Sequence, residues 1–486
     1  MSRLIVVSNR VTATSGGAAS QGGLAMGLGA ALRKHSGLWF GWSGETIETF
    51  TGEVTSRQIE GVTVATIDLE ETDVQEYYNG YANKTIWPLF HYRIDLTAYD
   101  RSFGDGYERV NRRFAESLRP LIRPGDLVWI HDYHLIPLGR ELRRLGVENL
   151  IGFFLHIPWP ARQLVSTLPR HPRLVQAMFD YDLIGFQTQD WLQAFQDYVL
   201  AEAGGAVLPD NRMSAYGRTV LTGAFPIGID AEDFVAAVKS RTARRSYDRV
   251  GASNLFRALI VGVDRLDYSK GIEERLMGYE QLLKDHPEHH GRTVLLQIAP
   301  PTREGVEAYQ EIRSRLETQC GRINGEFAEV DWEPIRYVHQ SYRRDELAGF
   351  YRAARVGLVT PLRDGMNLVA KEYVAAQNPD DPGVLILSRF AGAAAQMREA
   401  LIVNPFSREE MSEALHRALS MGLDERIRRW KSLMAGVVHD DITAWRDAYV
   451  VALEASRNAP AARRPEPAPQ AGAVTAANHR RRAPAQ

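Results

Sequence analysis

The stretch ALIVGVDRLDYSKG occupies residues 258–271 and joins a run of six residues without polar side chains to a polar loop. A second apolar run, Val294–Ile298, follows, and apolar residues at helical spacing stand between the two runs: Ile272, Leu276, Tyr279, Leu282 and Leu283. Runs that do not alternate with polar residues predict strands buried on both faces, and the spacing i, i+4, i+7 predicts one apolar face of a helix. Strand, helix and strand in this order predict two parallel strands with a helix on their sheet.

Similar runs recur along the chain: Leu4–Val7, Leu127–Ile130, Ile151–Ile157, Leu183–Phe186, Val356–Thr360 and Val384–Leu387. They fall into two sets, because a polar, Arg-rich stretch between Ile229 and Phe256 separates them. This division predicts an α/β protein with two Rossmann-like, doubly wound parallel-sheet domains, 1–235 and 236–456. The strands of both would point their carboxyl ends into a shared cleft, where ligands of such folds bind. A single closed eight-stranded α/β barrel is the alternative.

The charge of the chain limits the classes of molecule that the protein is expected to bind. The sequence has 58 Lys and Arg against 60 Asp and Glu, a net charge of −2. Residues 457–486 contain six Arg and one Glu, so this tail carries +5 and residues 1–456 carry −7. The tail is rich in Ala and Pro and is predicted to be disordered. An acidic body argues against nucleic acid or an anionic membrane as the partner. Phosphorylated ligands would then be held by a few local cations.

The cysteine count and the hydropathy of the chain suggest a compartment. The single cysteine, Cys320, excludes an internal disulfide framework and a Cys-based zinc site, which favours a reducing compartment. The first apolar run is shorter than the roughly 7–15 residues of a signal peptide, and no run reaches the roughly 18 of a membrane span. We therefore expect a cytoplasmic protein.

Two loops of the second half carry groups suited to a nucleotide sugar. Arg265 and Lys270 follow the first quoted strand, and two cations five residues apart suit a diphosphate. The alternative is a local ion pair of Arg265 with Asp264 or Asp267. The stretch TPLRDGMNLVAKE, residues 360–372, joins a strand end to a helix start. Its backbone N–H groups suit a phosphate and its two carboxylates, Asp364 and Glu372, suit sugar hydroxyls. The alternatives are that Asp364 caps the helix and that Glu372 is a surface residue.

In the first half, glycines and aromatic residues offer contacts to sugars and phosphates. Gly22 and Gly23 precede an apparent helix, where glycines let backbone N–H groups approach a phosphate closely; a plain flexible loop is the alternative. Tyr78 and Trp87 belong to an aromatic cluster of the kind that stacks on sugar rings. Aromatic residues are also common in cores, and spacing does not decide between the two.

Histidines end two strands of the first half. His131 and His134 would lie on one extended segment and therefore not share a face, and no cluster of carboxylates completes a metal site. No metal is therefore predicted here. Asp132, between them, is better suited to accept a proton or a sugar hydroxyl, and His156 follows the next strand.

Together these segments resemble retaining glycosyltransferases of the trehalose-6-phosphate synthase family, glycosyltransferase family 20, which have the two-domain GT-B fold. The resemblance covers about residues 1–455, and its specific stretches are Tyr77–Asn79 with Trp87–Arg93, His131–Pro137, His156–Pro160, Gly262–Gly271 and Thr360–Gln377. It implies transfer of glucose from a nucleoside diphosphate glucose to the anomeric hydroxyl of glucose 6-phosphate, the first step of trehalose biosynthesis. In the same-face mechanism of the family, the leaving phosphate accepts the proton of the acceptor. Small-molecule substrates, no cofactor or metal, and a homo-oligomer, dimer or tetramer, are implied with it.

The resemblance also implies roles for single residues. The donor side would comprise Gly22, Gly23, Arg265 and Lys270 at the diphosphate, the loop Gly365, Met366, Asn367, Leu368 and Val369, Glu372 at the ribose, and Tyr342 near the base. The transferred glucose would be held by Asp364 and His156. The acceptor side would comprise Arg10, Tyr78 and Arg303 at the phosphate and Asp132 at the hydroxyls, with Trp87 and His156 selecting the α anomer. The implied catalytic set is Asp132, His156, Arg265, Lys270 and Asp364.

Two other functions fit the same fold. One is a glycan synthase or phosphorylase that acts on polymer ends, which would not need a grip on an acceptor phosphate. The other is a non-catalytic sugar-phosphate sensor, which would not need both the leaving-group cations and the acceptor contacts. The base of the donor stays open between uracil and adenine, and the composition tilts the expectation towards adenine.

Overall fold

The computed structural model describes residues 2–11, 32, 37–59, 61–254, 257–302 and 306–458. The strands of these ranges form two open sheets. The first sheet contains β1 Leu4–Arg10, β2 Leu38–Ile47, β3 Thr55–Ile59, β4 Val62–Glu70, β5 Leu127–His131, β6 Leu150–Phe154, β7 Leu183–Phe186, β8 Ala206–Leu208, β9 Arg212–Ala215 and β10 Arg218–Ala224. The second sheet contains β11 Ala258–Val263, β12 Thr293–Ile298, β13 Ile335–Val338, β14 Val356–Val359, β15 Val384–Ser388 and β16 Leu401–Val403.

Parallel pairing dominates both sheets. The first has the order β3-β4-β2-β1-β5-β6-β7-β10-β9-β8, antiparallel only at its edges among the described residues. The second has the order β13-β12-β11-β14-β15-β16 and is parallel throughout, which is the order of doubly wound nucleotide-binding folds. Each predicted run overlaps a strand, so the predicted α/β fold with two sheets is confirmed. The eight-stranded barrel is wrong, because neither sheet closes on itself.

Helices connect the strands and cover the sheets. The α-helices are α1 Glu71–Asp73, α2 Trp87–Phe90, α3 Arg101–Leu118, α4 Leu138–Arg144, α5 Arg162–Val165, α6 His171–Met178, α7 Gln189–Glu202, α8 Ala231–Val238, α9 Arg241–Asn254, α10 Ile272–Asp285, α11 Glu307–Phe327, α12 Arg344–Ala353, α13 Leu368–Ala376, α14 Arg408–Ser420, α15 Leu423–His439 and α16 Ile442–Ala455. A π-helix, Val74–Ile86, joins α1 to α2. The predicted apolar face of α10 is buried, as its spacing requires.

The last α-helix of the described ranges packs on the first sheet. On α16, the ring of Tyr449 stacks on Trp129 of β5 with ring centroids 4.4 Å apart, and its hydroxyl donates to the carbonyl oxygen of Phe153 at 3.0 Å. A Cβ atom at Gly152 would lie 2.5 Å from this hydroxyl, and one at Gly185 would lie 2.7 Å from the ring. The two strands therefore need glycine where the tyrosine approaches.

Within the described ranges the chain crosses between the sheets twice, at neighbouring places. The first crossing is the extended segment 225–230 between β10 and α8, and the second is the short link between α15 and α16. The two lie side by side, since Ile442 N donates to Ile229 O at 3.1 Å and a Cβ at Gly228 would overlap Asp440 O. The predicted division at 235/236 falls inside α8, after the crossing. The range 236–456 also includes α16, which packs on the first sheet. The domain limits 1–235 and 236–456 stay a prediction.

No helix within the described ranges is long and apolar enough to span a lipid bilayer. The predicted tail begins at Arg457, which with Asn458 ends a short 3-10 turn, Ser456–Asn458. The remainder of the predicted tail, 459–486, lies outside the described residues.

Candidate active site

The carboxyl ends of the strands of the two sheets face each other across a cleft. The strand order reverses between β1 and β5 and between β11 and β14, and ligands of doubly wound sheets bind where the order reverses. The halves touch at Gly365, where a Cβ atom would overlap the carbonyl oxygen of His156. Trp191 of the first half donates from Nε1 to Gly365 O at 3.3 Å. These contacts place the loop after β14 directly against the loop after β6.

Lys270 and Asp364 form an ion pair at the second-sheet side of the cleft. Lys270 Nζ lies 2.5 Å from Asp364 Oδ2, and both side chains are mostly buried. Asn367 Nδ2 donates to the same oxygen at 3.1 Å. Burial alone would raise the pKa of Asp364, but Lys270 and the hydrogen bonds from Lys270 and Asn367 outweigh it and lower the pKa. The resemblance assigned Lys270 to the diphosphate and Asp364 to the transferred glucose, and in the structure the two side chains are in contact.

Arg265 reaches the cleft without forming either local ion pair considered above. Asp264 pairs instead with Arg275, whose Nη1 lies 2.7 Å from Asp264 Oδ2. Arg275 is fully buried and also donates to Thr360 Oγ1 at 3.0 Å and Gln297 Oε1 at 2.9 Å. This network ties the ends of three strands together under the loop that carries Arg265. The guanidinium of Arg265 is exposed and forms no ion pair within the described ranges.

The loop after β14 presents an open helix N-terminus. Asn367 adopts φ 82°, and its Oδ1 accepts from Ala370 N at 3.3 Å, so it caps α13. The backbone N–H groups of Leu368 and Val369 donate to no acceptor among the described residues, and both residues are partly exposed. Met366 is buried, and its carbonyl oxygen accepts from Ala393 N at 2.8 Å. Free N–H groups at a helix start attract a phosphate.

Glu372 lies one helical turn further along α13. Its carboxylate accepts no hydrogen bond from the part of the chain described here, and burial raises its pKa to about 7, with Arg344 opposing the rise. Tyr342 lies on the same side of the second half, where its ring packs edge-on against Phe350 with centroids 4.9 Å apart. A partly ionised carboxylate in a low-dielectric site suits hydroxyl donors.

Arg10 and Tyr78 meet on the ring of Trp42. The guanidinium of Arg10 lies 5.5 Å from the Trp42 ring, and the ring of Tyr78 packs edge-on against Trp42 at 5.7 Å and stacks on His134 at 5.9 Å. The guanidinium of Arg10 also passes directly over Gly44, where an added Cβ atom would overlap it. Gly44 has φ 97°. Trp42 and Gly44 therefore position Arg10.

Asp132 occupies a strained backbone position between the halves. Its φ is 75°, a left-handed conformation that costs a non-glycine residue about 1–3 kcal/mol and is concentrated at functional sites. Its Oδ1 accepts from His156 N at 3.2 Å. The carboxylate thus lies at the end of β5 and fixes the start of the loop after β6.

Both ring nitrogens of His156 have partners in the first half. Gln187 Oε1 accepts from Ile227 N at 3.0 Å, which directs Gln187 Nε2 to His156 Nδ1 at 3.2 Å. His156 therefore carries its proton on Nε2 and donates to His131 Nδ1 at 3.0 Å. Burial lowers the pKa of His156 to about 3, so the ring is neutral at pH 7. A contact between this ring and a sugar requires it to exchange one of these partners for a hydroxyl.

Trp87 joins the acceptor side to the donor side. Its ring lies 5.8 Å from the guanidinium of Arg265 and 4.2 Å from the ring of His91. His91 Nδ1 lies 2.7 Å from Trp87 O, and burial lowers the pKa of His91 to about 4. A neutral, buried His91 therefore supports Trp87 next to the Lys270 and Asp364 pair.

Three predicted residues, Gly22, Gly23 and Arg303, lie outside the described residues. The structure brings the others to the cleft in two groups. Arg10, Tyr78, Trp87, Asp132 and His156 come from the first sheet. Arg265, Lys270, Tyr342, the loop 364–369 and Glu372 come from the second.

A sequence model described as glycosyltransferase family 20 matches residues 3–455. The chain belongs to this family. It is therefore a glycosyltransferase, as its motifs predicted, and its two facing sheets are those of a GT-B enzyme. It is 47% identical over 459 residues to a trehalose-6-phosphate synthase of Sinorhizobium fredii, which covers 94% of this chain and 99% of the relative.

Two solved structures of the family are especially informative. A UDP-forming α,α-trehalose-phosphate synthase from Burkholderia xenovorans in complex with glucose-6-phosphate is 48% identical and superposes with a TM-score of 0.90, covering 93% of this chain and 100% of that one. A structure from Escherichia coli bound with UDP-2-fluoro glucose is 45% identical, with a TM-score of 0.89 and coverage of 93% and 99%. The likeness extends over both sheets of this family 20 chain.

Four residues that the sequence did not single out position those that it did: Gln187, Gly44, Trp42 and Arg275. Gln187 directly follows the buried strand β7, so its place at a strand end could have flagged it. Arg275 lies within a predicted helix among apolar positions, where a buried charge signals a partner. Gly44 and Trp42 give no such signal, because their role depends on the path of the Arg10 side chain.

A cavity of about 820 Å³ lies next to the predicted site of this family 20 enzyme, between the two halves. The guanidinium of Arg363 lines it and packs on the rings of Tyr92 at 3.9 Å and Phe390 at 4.9 Å. Trp191 forms the wall between this cavity and Gly365. None of the described residues predicted to bind substrate lines the cavity.

Proposed function

We propose that the protein transfers glucose from a nucleoside diphosphate glucose to glucose 6-phosphate, with retention of configuration, and forms trehalose 6-phosphate and the nucleoside diphosphate. Membership of glycosyltransferase family 20 supports this reaction, as do the glucose-6-phosphate and UDP-2-fluoro glucose bound in the two solved relatives. The observation that carries the proposal is the pairing across the cleft. Arg265, Lys270 and an open helix N-terminus on one sheet face Asp132 and His156 on the other.

The donor binds to the second half in this proposal. Arg265, Lys270 and the N–H groups of Leu368 and Val369 hold the diphosphate, because two cations and two free backbone donors match its charge and oxygens. Glu372 accepts hydrogen bonds from the ribose. Tyr342 lies near the base, and Asp364, steadied by Lys270, accepts hydroxyls of the transferred glucose.

The acceptor binds to the first half. Arg10 and Tyr78 hold its phosphate. Both side chains contact the Trp42 ring, and Arg10 has no carboxylate partner in the described ranges. Asp132 accepts the acceptor's hydroxyls, and Trp87 closes the site beside Arg265 and thereby favours the α anomer. Arg303 is assigned to the same phosphate from its sequence alone.

Catalysis consists of positioning and charge stabilisation in this mechanism. The bond between C1 of glucose and the phosphate oxygen breaks as C1 bonds to the acceptor's anomeric oxygen on the same face. The proton of that hydroxyl passes to the departing phosphate oxygen. Arg265 and Lys270 neutralise the charge that grows on the diphosphate, which makes a metal unnecessary. His156 is neutral and therefore positions the sugar rather than acting as an acid.

The test is release of nucleoside diphosphate with and without glucose 6-phosphate, with the product's anomeric linkage read by NMR. Arg265→Ala should lower kcat/KM by about 30- to 1000-fold, the loss of about 2–4 kcal/mol of transition-state stabilisation. Arg315→Ala is the matched control, because Arg315 is half-exposed and pairs with Glu273, and neither residue is assigned to a substrate. Near-native kcat/KM in Arg265→Ala would refute the role of Arg265 at the diphosphate. Full inhibition by EDTA, restored by Mg²⁺, would refute the metal-free mechanism.

The same assay separates the other two functions. A glycan synthase would release nucleotide with a polymer end in place of glucose 6-phosphate, and a sensor would bind both ligands without release. UDP-glucose is the first donor to test, since one solved relative is UDP-forming and another binds a UDP sugar. Three expectations from the sequence stay predictions: adenine as the base of the donor, a homo-oligomer and a cytoplasmic location.

A further inference from the structure

Three histidines and two glutamates cluster on the surface of the second half. His286 directly follows α10, Glu288 and His289 belong to the turn Pro287–His289, and Glu413 and His416 lie on α14. We call these five residues the histidine cluster. Helices α10 and α14 pack against each other, and Glu413 and His416, three positions apart, share one helix face.

The histidine cluster lies away from the cleft. The turn that carries Glu288 precedes β12 by only a few residues, so the cluster is at the edge where the strands of the second sheet begin. The cleft lies at the opposite edge, where they end. β12 has six residues, and at about 3.3 Å per residue the two edges are roughly 20 Å apart. The cluster is therefore separate from the proposed active site.

The ligand atoms of His286, Glu288 and His416 lie near the spacing that a metal requires. Glu288 Oε1 lies 3.5 Å from His286 Nδ1 and 3.7 Å from His416 Nδ1, and one such atom from each of the three residues lies within 4.8 Å of the others. Zinc binds histidine and carboxylate at about 2.0–2.2 Å in a tetrahedron, whose edges are then about 3.4 Å. The two distances to Glu288 are close to such edges.

A third imidazole and a second carboxylate adjoin the same place. His289 Nε2 lies 3.1 Å from His416 Nδ1, and Glu413 Oε1 lies 3.5 Å from His286 Nε2. The rings of His286 and His416 are stacked with centroids 3.9 Å apart and planes 9° apart. Metal binding therefore has to tilt one ring towards the other.

The charges of the cluster favour a cation over protons. Three protonated imidazoles within this distance would repel one another, whereas one divalent ion satisfies several neutral rings and a carboxylate at once. Imidazole with carboxylate suits zinc and the neighbouring transition metals rather than Mg²⁺ or Ca²⁺, which prefer oxygen ligands alone.

We propose that His286, Glu288 and His416 form a surface site for a divalent transition-metal ion, with Zn²⁺ as the best match. The fourth position is open to His289 or a water molecule. The ion ties the end of α10 to α14 on the outer layer of the second sheet and takes no part in glucosyl transfer.

The test is a titration of tag-free protein, stripped with a chelator, with Zn²⁺ in competition with a chromophoric chelator. The full chain should bind one equivalent at micromolar concentration or tighter, and Zn²⁺ should raise its Tm. His416→Gln and Glu288→Gln should each weaken binding by roughly 10- to 100-fold or more, since even outer partners of a metal site contribute that much. Both variants should also lose the shift in Tm.

His439→Gln is the matched control, because His439 is exposed on α15 and pairs with Asp440 outside the cluster. It should bind Zn²⁺ as the unchanged chain does. Glucosyl transfer at the native rate by His416→Gln and Glu288→Gln shows that each variant is folded, and if one does not fold, the other decides. Absence of binding by the unchanged chain, or equal binding by His416→Gln, Glu288→Gln and His439→Gln, would overturn the proposal.

Discussion

The ammonium nitrogen of Lys270 lies 2.5 Å from a carboxylate oxygen of Asp364, and the two side chains are only 11% and 15% exposed. Removing one partner of a buried pair leaves an uncompensated charge and costs about 3–5 kcal/mol. We therefore expect Lys270→Met to lower Tm markedly. The double variant Lys270→Met, Asp364→Asn should recover much of the lost Tm because neither charge remains.

Neither variant should recover glucosyl transfer, since both lack a cation at the diphosphate. Lys284→Met serves as the control, because Lys284 is 45% exposed and its buried partner Glu280 also pairs with Arg322 at 2.5 Å, so the loss of Lys284 leaves no uncompensated charge. A double variant less stable than Lys270→Met would contradict the pairing as described.

Glu372 should make donor binding depend on pH near neutrality. Its pKa is raised to about 7 by burial, and ribose hydroxyls donate hydrogen bonds to the ionised form. Binding therefore lowers this pKa, and below pH 7 the donor must displace a proton. We expect the donor KM to rise by up to about tenfold per pH unit below pH 7 and to level off above it.

The measurement is donor KM between pH 5.5 and 8.5 at saturating glucose 6-phosphate, because the acceptor's phosphate itself titrates near pH 6. Glu372→Gln should have a donor KM that no longer follows this slope. If the slope persists in Glu372→Gln, another group controls donor binding.

Gly44→Ala should weaken acceptor binding through Arg10. The new Cβ would overlap the Arg10 guanidinium, and a hydrogen bond to a charged group contributes about 1.5–3 kcal/mol. We expect kcat/KM for glucose 6-phosphate to fall by about 10- to 150-fold, with donor KM little changed. Gly125→Ala is the control: it has a similar φ of 86° but nothing within 4 Å of its Cβ. Equal acceptor kinetics in the two variants would mean that Arg10 is not displaced.

Gly152→Ala should destabilise the attachment of α16. The added methyl would lie 2.5 Å from the Tyr449 hydroxyl, and overpacking of this kind costs about 1–3 kcal/mol. Thermal unfolding should show a lower Tm. Gly436→Ala on α15, with nothing within 4 Å of its Cβ, should instead raise stability by about 0.5–1 kcal/mol. A Tm of Gly152→Ala at or above that of the unchanged chain would argue against this close approach.

The central strands could be predicted from sequence because they are buried on both faces. The five residues of β5 are all buried, so the run is continuously apolar and easy to recognise. β4 instead alternates buried and partly exposed residues, and β3 is almost entirely exposed. Neither forms an unalternated run, which is why the edge of the first sheet was not predicted. The π-helix Val74–Ile86 was not predicted either, because its hydrogen bonding does not follow the 3.6-residue period.

The charged residues of the site could be predicted from loops that follow strands, but their partners could not. Lys270 and Asp364 are 94 positions apart, and only the fold brings them into contact. The two partners of the His156 ring, His131 and Gln187, lie on neighbouring strand ends for the same reason. Sequence spacing reports which residues follow a strand, whereas contacts across strands depend on sheet order.

The position of α16 bears on how the protein is made. The ring of Trp129 and the glycines of β6 and β7 are covered by a helix that is encoded near the end of the described chain. During synthesis the first sheet therefore has to wait, with an apolar face uncovered, until the entire second sheet has left the ribosome. Such a nascent chain exposes surface that chaperones recognise. Completion of the first half is thus tied to completion of the second, and a chain cut short just before residue 442 would lack the helix that covers the first side of the cleft.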